Sequence, residues 1–178
     1  AVGISGDTLQ HIDQMKSYNK EIISEAANLE QIFIKSGLCL FGGQFDRIDR
    51  ALSLSIVPFI SEIKGERKRG KQVLEFLEIE PKTKVENLKP IEVEKIVKYF
   101  KNPQLKGEYL IIPKKKGILR YGFEQAQVLS IIGHDHPHLA IQLLGSPTIT
   151  QTAKSKYLDY TQKIVTNLVK FVSINKYK

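Results

Sequence analysis

The chain lacks most of the features that assign a protein quickly. It holds one cysteine, Cys39, in 178 residues, so no internal disulfide can form, and the setting Leu38-Cys39-Leu40-Phe41 reads as a small buried hydrophobe in a reducing, cytoplasmic compartment. No apolar run approaches the roughly 20 residues of a membrane-spanning helix, and the first residues lack the basic-then-apolar order of a signal peptide, so a soluble chain is expected. No internal repeat, low-complexity tract or Pro/Gly/Ser-rich linker divides it, and one globular domain over 1–178 is the expectation. No G-x-S-x-G elbow occurs. The glycines of Gly37-Leu-Cys-Leu-Phe-Gly42-Gly43 lack the lysine and the following Ser or Thr that a phosphate loop needs.

What is present is ordinary in amount and uneven in placement. With 42% apolar and 26% charged residues the composition is that of a folded domain, and a chain this long buries roughly 70% of the surface it exposes when unfolded. The net charge of +8 is concentrated: residues 1–60 sum to −2, residues 61–120 to +7 and residues 121–178 to +3. A patch of one sign attracts polyanions and speeds their association, so the middle third is where such a partner would bind.

The local patterns are mostly helical. Asp7 with Gln10 makes a capping-box pattern, and Leu9, Ile12, Met15, Ile22, Ala26, Leu29 and Phe33 recur at near-helical spacing. They predict one long amphipathic helix over roughly 7–36, with Gly37 just past its end. A second stripe, Ile48, Leu52, Ile56, Phe59 and Ile63, predicts a helix kinked at Pro58, although Leu52–Ile56 also alternates like a strand. Two glycines and dense like charge mark 65–71 as a loop, and Val73–Ile79 is ambiguous between helix and strand. Pro90 suits the first turn of a helix with Val93, Ile96, Val97 and Phe100 on its face, stopped by Asn102-Pro103.

Glu108–Ile112 and Ile118–Tyr121, joined by Pro113-Lys-Lys-Lys-Gly117, read as a β-hairpin. After Gly122 come a helix to about Ile132 closed by Gly133, a short apolar helix from Pro137 to Gly145 and a turn at Ser146-Pro147. A last helix over about Thr150–Ser173 carries Tyr157, Thr161, Ile164, Leu168 and Phe171 in near-heptad order. The fold class is therefore α+β and helix-dominated, with long N- and C-terminal helices and a hairpin near 108–121.

Three clusters invite a chemical reading, each against a plainer one. His134, His136 and His138 fall within five residues, and neutral imidazoles with Asp135 nearby would suit zinc. The plainer reading is a turn between helices, with Asp135 or His136 as a cap, because tight local spacing without distant ligands is weak evidence for a metal. Glu62-Ile63-Lys64 with Asp46 or Asp49 has the form of a metal-dependent nuclease, yet in a helix positions two apart face different ways. The turn at 133–137 joins two helices, but the second, Leu139–Leu144, is too apolar to read base edges.

The density of cations carries the functional expectation. Arg67, Lys68, Arg69 and Lys71, with Lys64 before them, face one acid, Glu66; Lys114, Lys115 and Lys116 crowd the hairpin tip, with Arg120 on its return. Such arms neutralise phosphates and bind nucleic acid of any sequence by counterion release, although lysine-rich turns also serve solubility. Only Tyr109 and Tyr121 flank the hairpin, so base stacking has thin support there. The expectation is a non-catalytic nucleic-acid-binding protein with those eight cations as contacts, no metal and no cofactor. Two alternatives stay open. One is a self-assembling coat, matrix or scaffold protein, a homo-oligomer whose basic face meets nucleic acid or an anionic membrane surface; the other is a metal-dependent nuclease or hydrolase.

Overall fold

The computed structural model describes residues 18–135, 137–145 and 150–175. In chain order its elements are α1 (Tyr18–Asn28), β1 (Phe33–Leu38), α2 (Ile48–Leu54), α3 (Arg67–Phe76), α4 (Pro90–Phe100), β2 (Lys106–Ile111), α5 (Gly122–Asp135), α6 (Pro137–Gly145) and α7 (Thr150–Asn175). Single 3-10 turns stand at Val85–Asn87, Pro103–Leu105 and Gly117–Arg120. The fold is α+β with helices dominant. Strands β1 and β2 form the two-stranded sheet. Their register is antiparallel: Ser36 Oγ reaches Glu108 Oε1 at 3.5 Å, and just beyond β1 the Cys39 N–H donates to the Leu105 carbonyl at 2.8 Å. Among the described residues no helix is long and apolar enough to cross a membrane.

The chain divides into two compact units, one of the chain up to Lys35 with Tyr109–Tyr160, the other of Ser36–Glu108 with Thr161–Lys178. Each is built from stretches distant in sequence, which is why no linker punctuates it. The second unit closes around Leu38, Leu40, Ile48, Leu52, Ile63, Leu74, Ile79, Ile96, Phe100 and Leu105. Helix α4 delivers Val93, Ile96 and Phe100 to that core at the spacing its sequence predicts. In the first unit Ile23, Ala26, Ile32 and Leu110 pack together, and Tyr109 and Tyr121 meet with ring centroids 6.3 Å apart.

Several expectations change at element ends. Residues 1–17 lie outside the described residues; the helix from Tyr18 stops at Asn28, and 33–36, expected to be its last turn, belong to β1. Gly37 is thus a strand residue and not the position after a helix. The stop is made by Glu30 in the left-handed region (φ 53), with Gln31 N–H donating to the Ala26 carbonyl at 2.9 Å and Glu30 N–H to Ala27 at 3.0 Å. The same pair of bonds ends α3 at Glu78 (φ 59) and α4 at Lys101 (φ 50). Sequence reading looks for glycine at this position, and here it is charged residues that bear the left-handed backbone. Glu30→Gly is therefore expected to raise stability by about 0.5–1 kcal/mol, measured by denaturant unfolding, because glycine adopts that region without the Cβ penalty.

Helix α2 ends at Leu54 and does not continue, kinked, through Pro58 to Ile63. Past it, antiparallel bridges Phe41–Val57 and Ile56–Phe59 hold an irregular segment, and the buried Ser55 hydroxyl donates to the Pro58 carbonyl at 2.8 Å. The reversal near 108–121 is present in reduced form. Ile111 bridges Tyr121, and Ile112 N–H donates to the Arg120 carbonyl at 2.7 Å, but the returning limb is a 3-10 turn and the long partner of β2 is β1. Gly133 does not close α5, which runs on to Asp135. In α7 the buried side is Ala153, Tyr157, Thr161 and Val165, every fourth residue, whereas Phe171 at the end of the expected heptad seam is 65% exposed.

Candidate functional site

The first basic cluster is not a loop. Residues 67–71 are the opening of α3, and the two glycines that suggested a loop do other work. Gly65 adopts φ +69 just before the helix, where a Cβ would stand 2.6 Å from Val165 Cγ1. Gly70 lies where α3 crosses α2, and a Cβ there would come 2.8 Å from the Asp49 carbonyl oxygen. The crossing brings Asp49 to Arg67. Arg67 Nε and Nη2 both donate to Asp49 Oδ2, at 2.8 and 2.7 Å, while Arg47 Nε lies 3.5 Å from Oδ1. The Asp49 side chain is only 5% exposed, so Arg67 neutralises a buried charge and is tied into the fold.

The neighbouring cations are held less firmly. Arg69 pairs with Glu66 at 2.8 Å and Lys71 with Glu75 at 3.4 Å, both pairs in the open. An exposed pair is worth about 0.2–1 kcal/mol, so either cation can leave its carboxylate for a phosphate at small cost. Lys68 is exposed and has no ion pair or hydrogen bond among the described residues. Four cations in the first five residues of α3, with no acid in its first turn, also run against the helix dipole, which favours anions at that end.

The second cluster sits in the other unit. Lys114 and Lys116 stand exposed on the reversal after β2, and neither is paired among the described residues. Lys115 is half-buried and engaged within the fold, its backbone N–H donating to the Ile112 carbonyl at 3.1 Å. Arg120 is half-buried with its Nε inside, so it faces away from the role of a tip contact. Of the eight expected contacts, Lys68, Lys114 and Lys116 are thus the fully available ones, Arg69 and Lys71 the exchangeable ones, and Arg67, Lys115 and Arg120 are engaged in the fold.

The remaining clusters fall at helix ends and turns. His134 lies in the last turn of α5 and His138 in the first turn of α6, both exposed, while His136 lies outside the described residues. Among the described residues no group of three His, Cys, Asp or Glu is placed to hold a metal ion. Glu62 and Lys64 lie on a turn rather than at the ends of paired strands, and of the two acids expected beside them Asp49 is taken by Arg67 and Arg47 and Asp46 by Arg50. Gly42 and Gly43 serve close approach to α2, where Cβ atoms would meet the Leu54 carbonyl oxygen at 2.4 Å and Ala51 Cα at 2.6 Å. Gln44 completes that turn, accepting from Leu40 N–H at 2.8 Å and donating to the Leu38 carbonyl at 2.9 Å.

One surface has no signal in the sequence: Phe76, 75% exposed at the end of α3, meets Tyr99 of α4 with ring centroids 5.9 Å apart. Neither residue belongs to an aromatic motif, and only the packing of the two helices joins them.

No family model matches the chain, and no curated protein matches it. Among solved structures it is similar to CDC45 from Entamoeba histolytica, with TM-score 0.51 and 14% identity over 85% of this chain. The chain spans 37% of the length of that protein, and at such identity the likeness is one of fold alone.

Proposed function

We propose that the chain binds nucleic acid without catalysis, through phosphate contacts indifferent to sequence. The supporting observation is the reversal after β2, where Lys114 and Lys116 are exposed and free of ion pairs among the described residues, so phosphate can bind them without displacing a carboxylate. The other unit offers cations of its own, Lys68 directly and Arg69 and Lys71 once they leave Glu66 and Glu75. Arg67 drops out of the contact list because moving it strands the buried Asp49.

The expected result follows from counterion release. Replacing Lys114, Lys115 and Lys116 with alanine weakens binding to single- and double-stranded targets alike and flattens the salt dependence by up to about one unit of slope per lost contact. Affinity equal to wild type in that variant, measured by fluorescence anisotropy, counts against the reversal as a contact arm.

A further inference from the structure

We infer that Phe76 and Tyr99 form a stacking platform for the bases of single-stranded nucleic acid, an inference that rests on the phosphate-binding reading and specifies its target. A lone exposed aromatic is ordinary on a protein surface, but two held in ring contact across two helices are not. Their rings lie 5.9 Å apart and tilted by 55°, and Tyr99 is braced edge-on by Phe100, centroids 5.0 Å apart, whose own ring is buried in the core. Phe76 is 75% and Tyr99 41% exposed, so both offer ring surface to solvent.

The presentation is built rather than incidental. Leu74 and Ile79, both core residues, bracket Phe76 and fix the last turn of α3. Lys95, one helical turn before Tyr99, donates from Nζ to the Leu77 carbonyl at 3.0 Å and lies 3.9 Å from Glu78 Oε2, bolting the end of α3 onto α4. On α3, Arg69 and Phe76 are seven residues apart, two turns along the same face and about 10 Å at 1.5 Å per residue. The exposed Gln72 lies between them. A strand whose phosphates engage the cations at the start of α3 would run its bases onto the rings at its end. Sequence-tolerant binding of single strands combines these two parts, a cationic track and aromatic faces. A protein partner would need an apolar surface, whereas the helix leading to this pair carries Arg67, Lys68, Arg69 and Lys71 against Glu75.

The test uses the full chain with a fluorescent oligo-dT and a duplex of equal length. Phe76→Ala and Tyr99→Ala should each weaken oligo-dT binding roughly 5- to 100-fold, leaving the salt slope and the duplex affinity as in wild type. The chain has no tryptophan, so Phe76→Trp supplies a single indole whose emission should be quenched on adding oligo-dT. Circular dichroism confirms that the variants are folded, as expected for side chains this exposed. Salt-dependent binding by wild type, with both alanine variants unchanged and the indole unquenched, overturns the platform, leaves the phosphate reading standing and points the patch toward a protein partner. Absence of binding by wild type to either probe overturns the phosphate reading and this inference together.

Discussion

Gly42→Ala is expected to cost about 3 kcal/mol or more and to leave little folded protein at 37 °C. The residue sits at φ +113, where any L side chain is strained by about 1–2 kcal/mol, and its Cβ would stand 2.4 Å from the Leu54 carbonyl oxygen. That oxygen is backbone at the end of α2, so relief requires moving the helix, and overpacking of this sort adds about 1–3 kcal/mol. Gly43→Ala meets the Ala51 backbone at 2.6 Å without the dihedral penalty and should cost less than its neighbour. Denaturant unfolding of the two variants gives that order, and near-wild-type stability of Gly42→Ala would show that α2 is not packed on this turn.

Arg67→Ala is expected to cost about 2–3 kcal/mol in stability while changing nucleic-acid affinity per folded molecule little. Removing one partner of a buried pair costs about 3–5 kcal/mol because it strands the other charge. The figure is lower here because the Arg67 side chain is 52% exposed and Arg47 remains 3.5 Å from Asp49. Arg67→Lys should recover only part of the loss, since a single ammonium does not reproduce the two-nitrogen grip of a guanidinium. In the double variant Asp49→Asn with Arg67→Ala the penalties should be less than additive, as expected for groups in contact. A large drop in affinity with unchanged stability would return Arg67 to the binding surface.

How much of this was legible in the sequence differs element by element. Helix α4 could be read because Pro90 opens it and Val93, Ile96 and Phe100 keep a 3.6-residue period into one core. Helices α6 and α7 likewise begin at Pro137 and Thr150, where their patterns place them. Strand β1 was hidden because Leu29 and Phe33 continue the apolar spacing of α1, while the break is made by Glu30 in a left-handed conformation that glycine usually signals. Helix α3 was hidden for the opposite reason, since Gly70 looks like a loop marker and is the contact that lets α2 and α3 cross.

The site divides in the same way. The cations at 67–71 and 114–116 are plain in the sequence, but which of them are free depends on Asp49, Glu66 and Glu75, whose positions only the folded chain determines. The Phe76–Tyr99 contact has no local signature, because it joins two helices through core residues on either side.

Binding of phosphate by free cations is decided by the dissociation constant of the wild-type chain for a short duplex, followed between about 50 and 200 mM salt. With Lys114 and Lys116 as contacts, log affinity should fall linearly against log salt with a slope of about −2, roughly a 10-fold loss across that range. No binding at the low end, or an affinity indifferent to salt, would contradict it.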